Sequence, residues 1–393
     1  MSLKMKQLEL NIRYDYWLEL VTLTLMAIGT VFVFSAGANV SGQYDWKRFY
    51  EFTTLKQLIF FPGAVAIMYL ISLMDYRRFG FIKKNPLKSF TPYLVFLSIL
   101  MLVVVLVFGE ERNLSKRWLF FSLGPINLSF QPSELAKWVI IIFLAAIMDR
   151  CHDDLNKFFT RFLPICMVPA AAAALIITQD FGTAAYIALM TAILLWLGGA
   201  VWWHFLTPLP LVIPGFIAAI VTSQTRMNRI KDFLDHGTMA YQAEQSLKTI
   251  SSGGLFGKGL GRGVFKYGHL PEDTTDFIFS VVAEETGFVG ALVIVALFVL
   301  FTIIGLTAVM RCQDRFGRIL GLGIVLCISI QAAVNIGVVT VVLPTKGIPL
   351  PLISAGGTSM LLTAAAMGIL LSILRHNEAQ LNPVNAGVFL QRD

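Results

Sequence analysis

Long apolar runs separated by short polar stretches dominate the pattern of hydrophobic and polar positions along this chain. A helix needs about 20 residues to cross the hydrocarbon core of a bilayer. Ten runs are long enough, or nearly so, and we predict a spanning helix in each: 16–38, 58–74, 91–108, 133–148, 161–178, 183–200, 204–222, 276–309, 318–343 and 357–375. The pattern therefore predicts an all-α polytopic membrane protein, with one membrane domain over 1–376 and a polar tail over 377–393.

The eighth run is longer than a single crossing requires. At about 1.5 Å per residue it would reach about 50 Å as a straight helix. We expect it to project beyond the bilayer or to bend near Gly287 and Gly290.

Composition supports the membrane class and argues against nucleic acid as a partner. The chain is 56% hydrophobic and 14% charged, whereas a soluble domain is nearer half apolar and about a quarter charged. The net charge of +7 is spread over loops, and a nucleic-acid-binding protein usually carries one dense basic face. Basic residues in the short loops place both termini in the cytoplasm, so that 223–275 becomes a large extracytoplasmic loop.

That loop contains seven glycines between Gly253 and Gly268, interleaved with Lys258, Arg262 and Lys266. Glycines let backbone N–H groups approach an anion, and the cations would neutralise it. A flexible loop with solvated charges is the alternative, since the Walker spacing is absent.

Asp276 opens the eighth span and follows the polar stretch HLPEDTT. It could complement the helix dipole in the first turn, or act as a general base or metal-binding carboxylate beside a polar substrate. Glu272 is close enough in sequence to share that task. Glu284 and Glu285 lie deeper in apolar sequence, where a carboxylate is costly and a role or a partner is expected.

Two lysines and several polar residues fall on the same predicted side of the membrane. Lys346 lies in a proline-rich link between the last two spans and could meet a phosphate or snorkel to headgroups. Lys137, near the outer end of the fourth span, has the same two interpretations. Together with Asp180, Gln331 and Asn335 they favour a shared extracytoplasmic cavity.

Six sequence segments, in order, carry a resemblance to a known family. They are RWL at 117–119, FQPSELAK at 130–137, QDFGTA at 179–184, YQAEQSLKTISSGGLFGKGLG at 241–261, HLPEDTTDFIFSVVAEETGFVG at 269–290 and LPTKGIPLPLISAGGTS at 343–359. The chain resembles the SEDS family of shape, elongation, division and sporulation proteins (FtsW, RodA and SpoVE) over about residues 15–376.

The resemblance implies a peptidoglycan glycosyltransferase of the bacterial cytoplasmic membrane that polymerises lipid II on its outer face. It places the family's catalytic aspartate at Asp276. Residues expected to contact substrate are Lys137, Lys346, Lys258, Arg262, Glu272, Gln245 and Ser354. It also implies a class B penicillin-binding protein and other divisome or elongasome membrane proteins as partners. No cofactor is certain; a divalent cation, Mg²⁺ or Mn²⁺, could assist the departure of pyrophosphate.

The branch within the family and the exact role stay open at this point. LPTKGIPLP and the run at 229–235 resemble FtsW, the division member, more than RodA, the elongation member. Ala355 replaces a usual tyrosine, and Thr178-Gln179-Asp180 has lost the proline of a usual Q-P-D. A lipid II transporter and a division scaffold without activity are the competing interpretations.

Overall fold

Ten helical segments correspond to the ten predicted spans, and they confirm the predicted helical membrane fold. The computed structural model describes residues 13–37, 53–82, 86–112, 115–123, 126–151, 155–224, 226–228, 231, 241–264, 274–344 and 347–381. The helices are α1 (Tyr14–Ala36), α2 (Thr53–Ser72), α3 (Thr91–Phe108), α4 (Pro132–Arg150), α5 (Leu163–Ile177), α6 (Phe181–Leu197), α7 (Trp203–Leu206), α8 (Leu209–Val221), α9 (Tyr241–Ser252), α10 (Ile278–Met310), α11 (Arg315–Val339) and α12 (Gly357–Leu381). A π-helical turn, Phe158–Phe162, leads into α5.

Length and hydropathy identify a multi-pass membrane protein. Six of the described helices are long and apolar enough to cross a membrane, and three shorter apolar helices accompany them. The seventh predicted span is divided into α7 and α8. Pro208 and Pro210 stand at this division, where their missing N–H groups and fixed φ angles interrupt a continuous helix.

The helices that carry most of the buried polar residues lie at the centre of the bundle. Helix α4 packs against α11, α11 against α10, and α2 along α12. In contrast, α3 and the second half of α10 expose large apolar side chains such as Phe96, Phe108 and Ile303. Their hydrocarbon surface is what a lipid-facing helix presents.

A three-stranded antiparallel sheet, which the sequence pattern did not predict, stands between α3 and α4. Its strands are β1 (Glu110–Arg112), β2 (Ser115–Leu123) and β3 (Ile126–Phe130), in the order β1-β2-β3. The β2–β3 pairing runs from Leu119 opposite Phe130 to Leu123 opposite Ile126. The Thr358 hydroxyl donates to the Ser129 carbonyl over 2.6 Å, so the sheet covers the start of α12. We call this the sheet end of the bundle.

Helix α10 bends where its length and glycines predicted. Gly287 has φ 71° and ψ −170°, far from helical values, inside an otherwise helical segment. The large loop 223–275 contains a helix, α9, that the sequence pattern did not predict. At the other terminus α12 continues to Leu381, past the predicted start of the tail at 377.

A close helix-to-segment contact yields a stability prediction. A Cβ added at Gly29 of α1 would lie 2.5 Å from both the Cα and the carbonyl oxygen of Ile353. We expect Gly29→Ala to lower the melting temperature of the detergent-solubilised protein, because overpacking costs about 1–3 kcal/mol. Gly63→Ala on α2 is the matched control, since its Cβ would meet nothing within 4 Å. Equal melting temperatures for the two variants would contradict the close contact.

Candidate active site

Asp276 lies at the sheet end, in a turn that precedes α10. The helix begins at Ile278 and Phe277 is its N-cap, so Asp276 stands just outside the first turn in which the sequence had placed it. Its carboxylate faces the segment between α11 and α12: a Cβ added at Gly347 would lie 2.7 Å from Asp276 Oδ2. A side chain at position 347 would therefore require the carboxylate to move, whereas glycine leaves room for it.

Hydrogen bonds join the turn at 274–277 to the segment 347–355. Asn335 Nδ2 donates to the carbonyl of Asp276 over 2.8 Å and to that of Ile348 over 2.7 Å. The Ser354 hydroxyl donates to the Thr275 carbonyl over 2.6 Å and accepts from the Leu350 N–H over 2.7 Å. The structure thus uses Ser354, a predicted substrate contact, to position the backbone beside Asp276.

Lys137 lies in a buried polar network rather than at the lipid surface. Its ammonium donates to Glu134 Oε2 and to Gln331 Oε1, each over 2.8 Å, and its side chain is only 2% exposed. The Ser359 hydroxyl also donates to Glu134 Oε2, over 2.9 Å. Among the described residues, these bonds use two of the three N–H donors of the ammonium, and the third can donate to a ligand oxygen. Snorkelling to headgroups does not describe this lysine.

Helix α11 connects the lysine network to the carboxylate. Gln331 and Asn335 are four residues apart and therefore share a face of the helix. Gln331 Nε2 donates to the Pro349 carbonyl over 2.9 Å, next to the Ile348 carbonyl that Asn335 holds. One face of α11 thereby positions the segment against which Asp276 lies.

The remaining predicted site residues divide between α9 and the loop that follows it. Gln245 is partly exposed on α9, beside Ser246, whose hydroxyl lies 2.8 Å from that of Ser280 on α10. Lys258 pairs with Glu284, Nζ to Oε1, over 2.7 Å, and Arg262 has an exposed side chain. The structure therefore brings Asp276, Ser354 and the Lys137 network together, and it places Lys258 about two turns along α10.

Two predicted site residues, Lys346 and Glu272, lie outside the described residues. Among the described residues, no three His, Cys, Asp or Glu side chains converge as a metal site would require.

Chemically, the arrangement offers a partly buried carboxylate on a fixed backbone and a buried ammonium on a neighbouring helix. A carboxylate so placed can accept a proton from a hydroxyl, and an ammonium can stabilise an anionic leaving group. The fold and site together define a polytopic membrane protein with an acid-and-cation site at one end of its bundle.

Comparison with known proteins identifies the family. A family model described as a cell cycle protein, FtsW/RodA/SpoVE, matches residues 16–379. The chain belongs to this family, as its motifs indicated.

Its relatives come from several bacteria. The chain is 35% identical over 376 residues to the "Probable peptidoglycan glycosyltransferase FtsW" of Coxiella burnetii, covering 93% of this chain and 97% of that one. It is 33% identical to the "Stage V sporulation protein E" of Bacillus subtilis, covering 92% and 97%.

Solved structures share the fold. One chain of a peptidoglycan synthase complex, described as coordinating polymerization and crosslinking, superposes with a TM-score of 0.71 at 25% identity, covering 93% of this chain and 99% of that one. The rod shape determining protein RodA of Thermus thermophilus superposes with a TM-score of 0.64 at 26% identity, covering 93% and 98%.

Proposed function

We propose that this protein is a peptidoglycan glycosyltransferase that joins lipid II molecules into glycan strands, with Asp276 as the general base. The observation that carries the proposal is the Asp276 carboxylate, which faces Gly347 while Asn335 holds its backbone. The names of relatives at 35% identity support the same activity.

The proposed reaction moves one proton and exchanges one bond. The 4-hydroxyl of the acceptor sugar attacks the anomeric carbon of the donor sugar, and Asp276 accepts the hydroxyl proton. The bond between the anomeric carbon and the pyrophosphate oxygen breaks, and undecaprenyl pyrophosphate leaves with both electrons of that bond. Negative charge grows on the leaving group, so cations nearby lower the barrier.

Lys137 is the best placed of the described cations for this role, because its network contacts the segment beside Asp276. Lys346 and Arg262 remain proposed contacts of the pyrophosphate, with Gln245 and Glu272 as further contacts of the substrate. Mg²⁺ or Mn²⁺ also stays in the proposal. Such a cation would bind the pyrophosphate oxygens and supply positive charge to the leaving group, while Asp276 stays the proton acceptor.

We also propose an orientation in the membrane and partner proteins. We place the sheet end on the outer face of the cytoplasmic membrane, with both termini inside, because the short loops of the opposite end carry the basic residues. A class B penicillin-binding protein would crosslink the product, as the likeness to a synthase complex suggests. The FtsW-like motifs favour a role in division, with other divisome membrane proteins as neighbours.

Reconstitution separates this proposal from lipid transport. Purified protein, with a class B penicillin-binding protein, should convert labelled lipid II in detergent into muramidase-sensitive strands, and chelation of divalent cations should slow the reaction. In liposomes it should not move lipid II between leaflets. Transport without polymerisation would reject the proposal in favour of a transporter, and neither activity would favour a scaffold.

A further inference from the structure

The bend in α10 is stabilised by the loop at 253–264, which we call the glycine loop. Regular helical geometry would join the N–H of Phe288 to the carbonyl of Glu284, and that of Val289 to Glu285. In the structure, Phe288 and Val289 donate to the carbonyls of Gly254 and Leu255, over 2.9 and 3.2 Å. The carbonyls of Glu284 and Glu285 accept from the N–H groups of Lys258 and Gly259, over 3.0 and 2.9 Å. The loop thus satisfies the backbone groups on both sides of Gly287.

Three glycines make this backbone contact possible. A Cβ at Gly253 would lie 2.1 Å from the Ala283 carbonyl oxygen, and one at Gly257 would lie 2.2 Å from that of Glu285. A Cβ at Gly287 would lie 2.3 Å from the Gly257 nitrogen. Several of the glycines that could have formed an anion site are therefore required for contact with α10.

A partly buried ion pair joins the glycine loop to the bend: the Lys258 side chain is 30% exposed, whereas that of Glu284 is not exposed. Lys258 Nζ lies 2.7 Å from Glu284 Oε1 and 2.9 Å from the Ser252 hydroxyl. Glu284 is fully buried and also accepts from the Val264 N–H over 2.8 Å. Since an uncompensated buried carboxylate is strongly destabilising, the ammonium of Lys258 is needed beside Glu284 to compensate its charge.

On the other side of the bend, α10 is joined to α1. The Ser35 hydroxyl lies 2.6 and 2.7 Å from the two carboxylate oxygens of Glu285. The bend is therefore held from both sides, by the glycine loop and by α1.

The bend is a further constraint on the place of Asp276, in addition to the hydrogen bonds of Asn335 and Ser354 to its turn. At about 1.5 Å per residue, Asp276 lies about 16 Å from Gly287, so a tilt of about 5° in the intervening helix would move the carboxylate by about 1.4 Å. A displacement of about 1 Å can lower the rate of an enzyme by about a hundredfold.

We propose that Lys258 and Glu284 are positioning residues, through which the glycine loop sets the angle of α10 at Gly287 and thereby the place of Asp276. This inference rests on the proposed role of Asp276. It assigns Lys258 to the protein's own carboxylate, whereas the sequence had suggested a substrate contact.

Kinetics separate positioning from substrate binding. We expect Lys258→Met and Glu284→Gln each to lower kcat by about tenfold with KM for lipid II unchanged, because both variants loosen the same bend. The double variant should be no slower than the single ones, since the pair acts as a unit. Lys258→Arg should restore most of the rate.

The matched control is Lys248→Met on α9. Lys248 also pairs with a glutamate, Glu244, over 2.6 Å, but both side chains are about half exposed. Its loss should leave kcat unchanged. The proposal is overturned if Lys258→Met raises KM at constant kcat while Glu284→Gln behaves as wild type, because Lys258 would then bind substrate.

Hydrogen exchange tests the geometry without reference to activity. In Lys258→Met, a peptide covering 284–290 should exchange faster at the Phe288 and Val289 amides, while peptides from α11 stay as protected as in wild type. Unchanged exchange at these amides would overturn the positioning role. If wild type makes no glycan, the proposed function fails, yet the exchange result still decides whether Lys258 stabilises the bend.

Discussion

Replacing Asp276 with asparagine is expected to reduce glycan polymerisation by at least about a hundredfold, because general-base catalysis contributes about 10²–10⁴-fold. The amide has nearly the size of the carboxylate but cannot take up a proton at neutral pH. The fold should persist, because the substitution keeps the shape of the side chain and leaves the bond from Asn335 to the backbone carbonyl of residue 276 in place. The measurement is the initial rate of consumption of labelled lipid II at saturating concentration, together with the melting temperature.

Asp314→Asn provides the matched control for this loss. Asp314 caps α11 at the opposite end of the bundle, where its Oδ2 accepts from the Gly317 N–H over 2.8 Å. Loss of such a cap costs about 1 kcal/mol of stability and should leave the rate near that of wild type. If Asp276→Asn also keeps its rate, Asp276 serves only the start of α10 and the base lies elsewhere.

Breaking the buried pair of Lys137 and Glu134 should have the second large effect. Lys137→Met leaves Glu134 buried without its cation, and removal of one partner of such a pair costs about 3–5 kcal/mol. We expect a markedly lower melting temperature and almost no polymerisation. Thermal unfolding and the polymerisation rate, each measured on the same detergent preparation, test both parts.

The double variant Lys137→Met with Glu134→Gln separates structure from chemistry. Removing both charges should restore much of the stability, because no unpaired charge stays buried. Polymerisation should stay low, because the cation that stabilises the departing pyrophosphate is gone. Recovery of both stability and rate would assign Lys137 to structure alone.

The membrane part of the fold follows from the sequence because hydrocarbon imposes a simple rule. Backbone groups in lipid must be satisfied within the segment, so a long apolar run becomes a helix. The bend at Gly287 was predictable because the run is longer than one crossing and contains two glycines.

The sheet at 110–130 was not predicted because its residues fit two environments. Aromatic side chains such as Trp118, Phe120 and Phe121 favour strands and favour the headgroup region equally well. The two-residue link between Leu123 and Ile126, a Gly-Pro pair, was the available signal for a hairpin. Because the aromatic run beside this link also suits the headgroup region, the pair alone does not indicate a sheet.

In the candidate site, too, features that are local in the sequence were predictable, and contacts between residues distant in the sequence were not. Asp276 could be found because a carboxylate at the start of an apolar run is visible in the sequence. Gln331 and Asn335 could be noticed as polar residues four apart in a span, but their partners are the backbone carbonyls of Pro349 and Ile348. No residue pattern shows that contact.

The role of Lys258 could not be predicted from the sequence. A lysine among glycines is typical of an anion-binding loop, and only the folded chain shows Glu284 beside it. Glycines are typical of a backbone that binds an anion, because without a Cβ the backbone can approach a ligand closely. The same lack of a Cβ lets the backbone approach a helix closely.

The most direct test of Asp276 as the base is the glycan product itself. Purified wild type and Asp276→Asn, each with a class B penicillin-binding protein, would be given labelled lipid II, and the products separated by gel before and after muramidase digestion. We predict a muramidase-sensitive ladder from wild type and none from Asp276→Asn at equal melting temperature. A ladder of equal length and yield from Asp276→Asn would contradict the proposed mechanism.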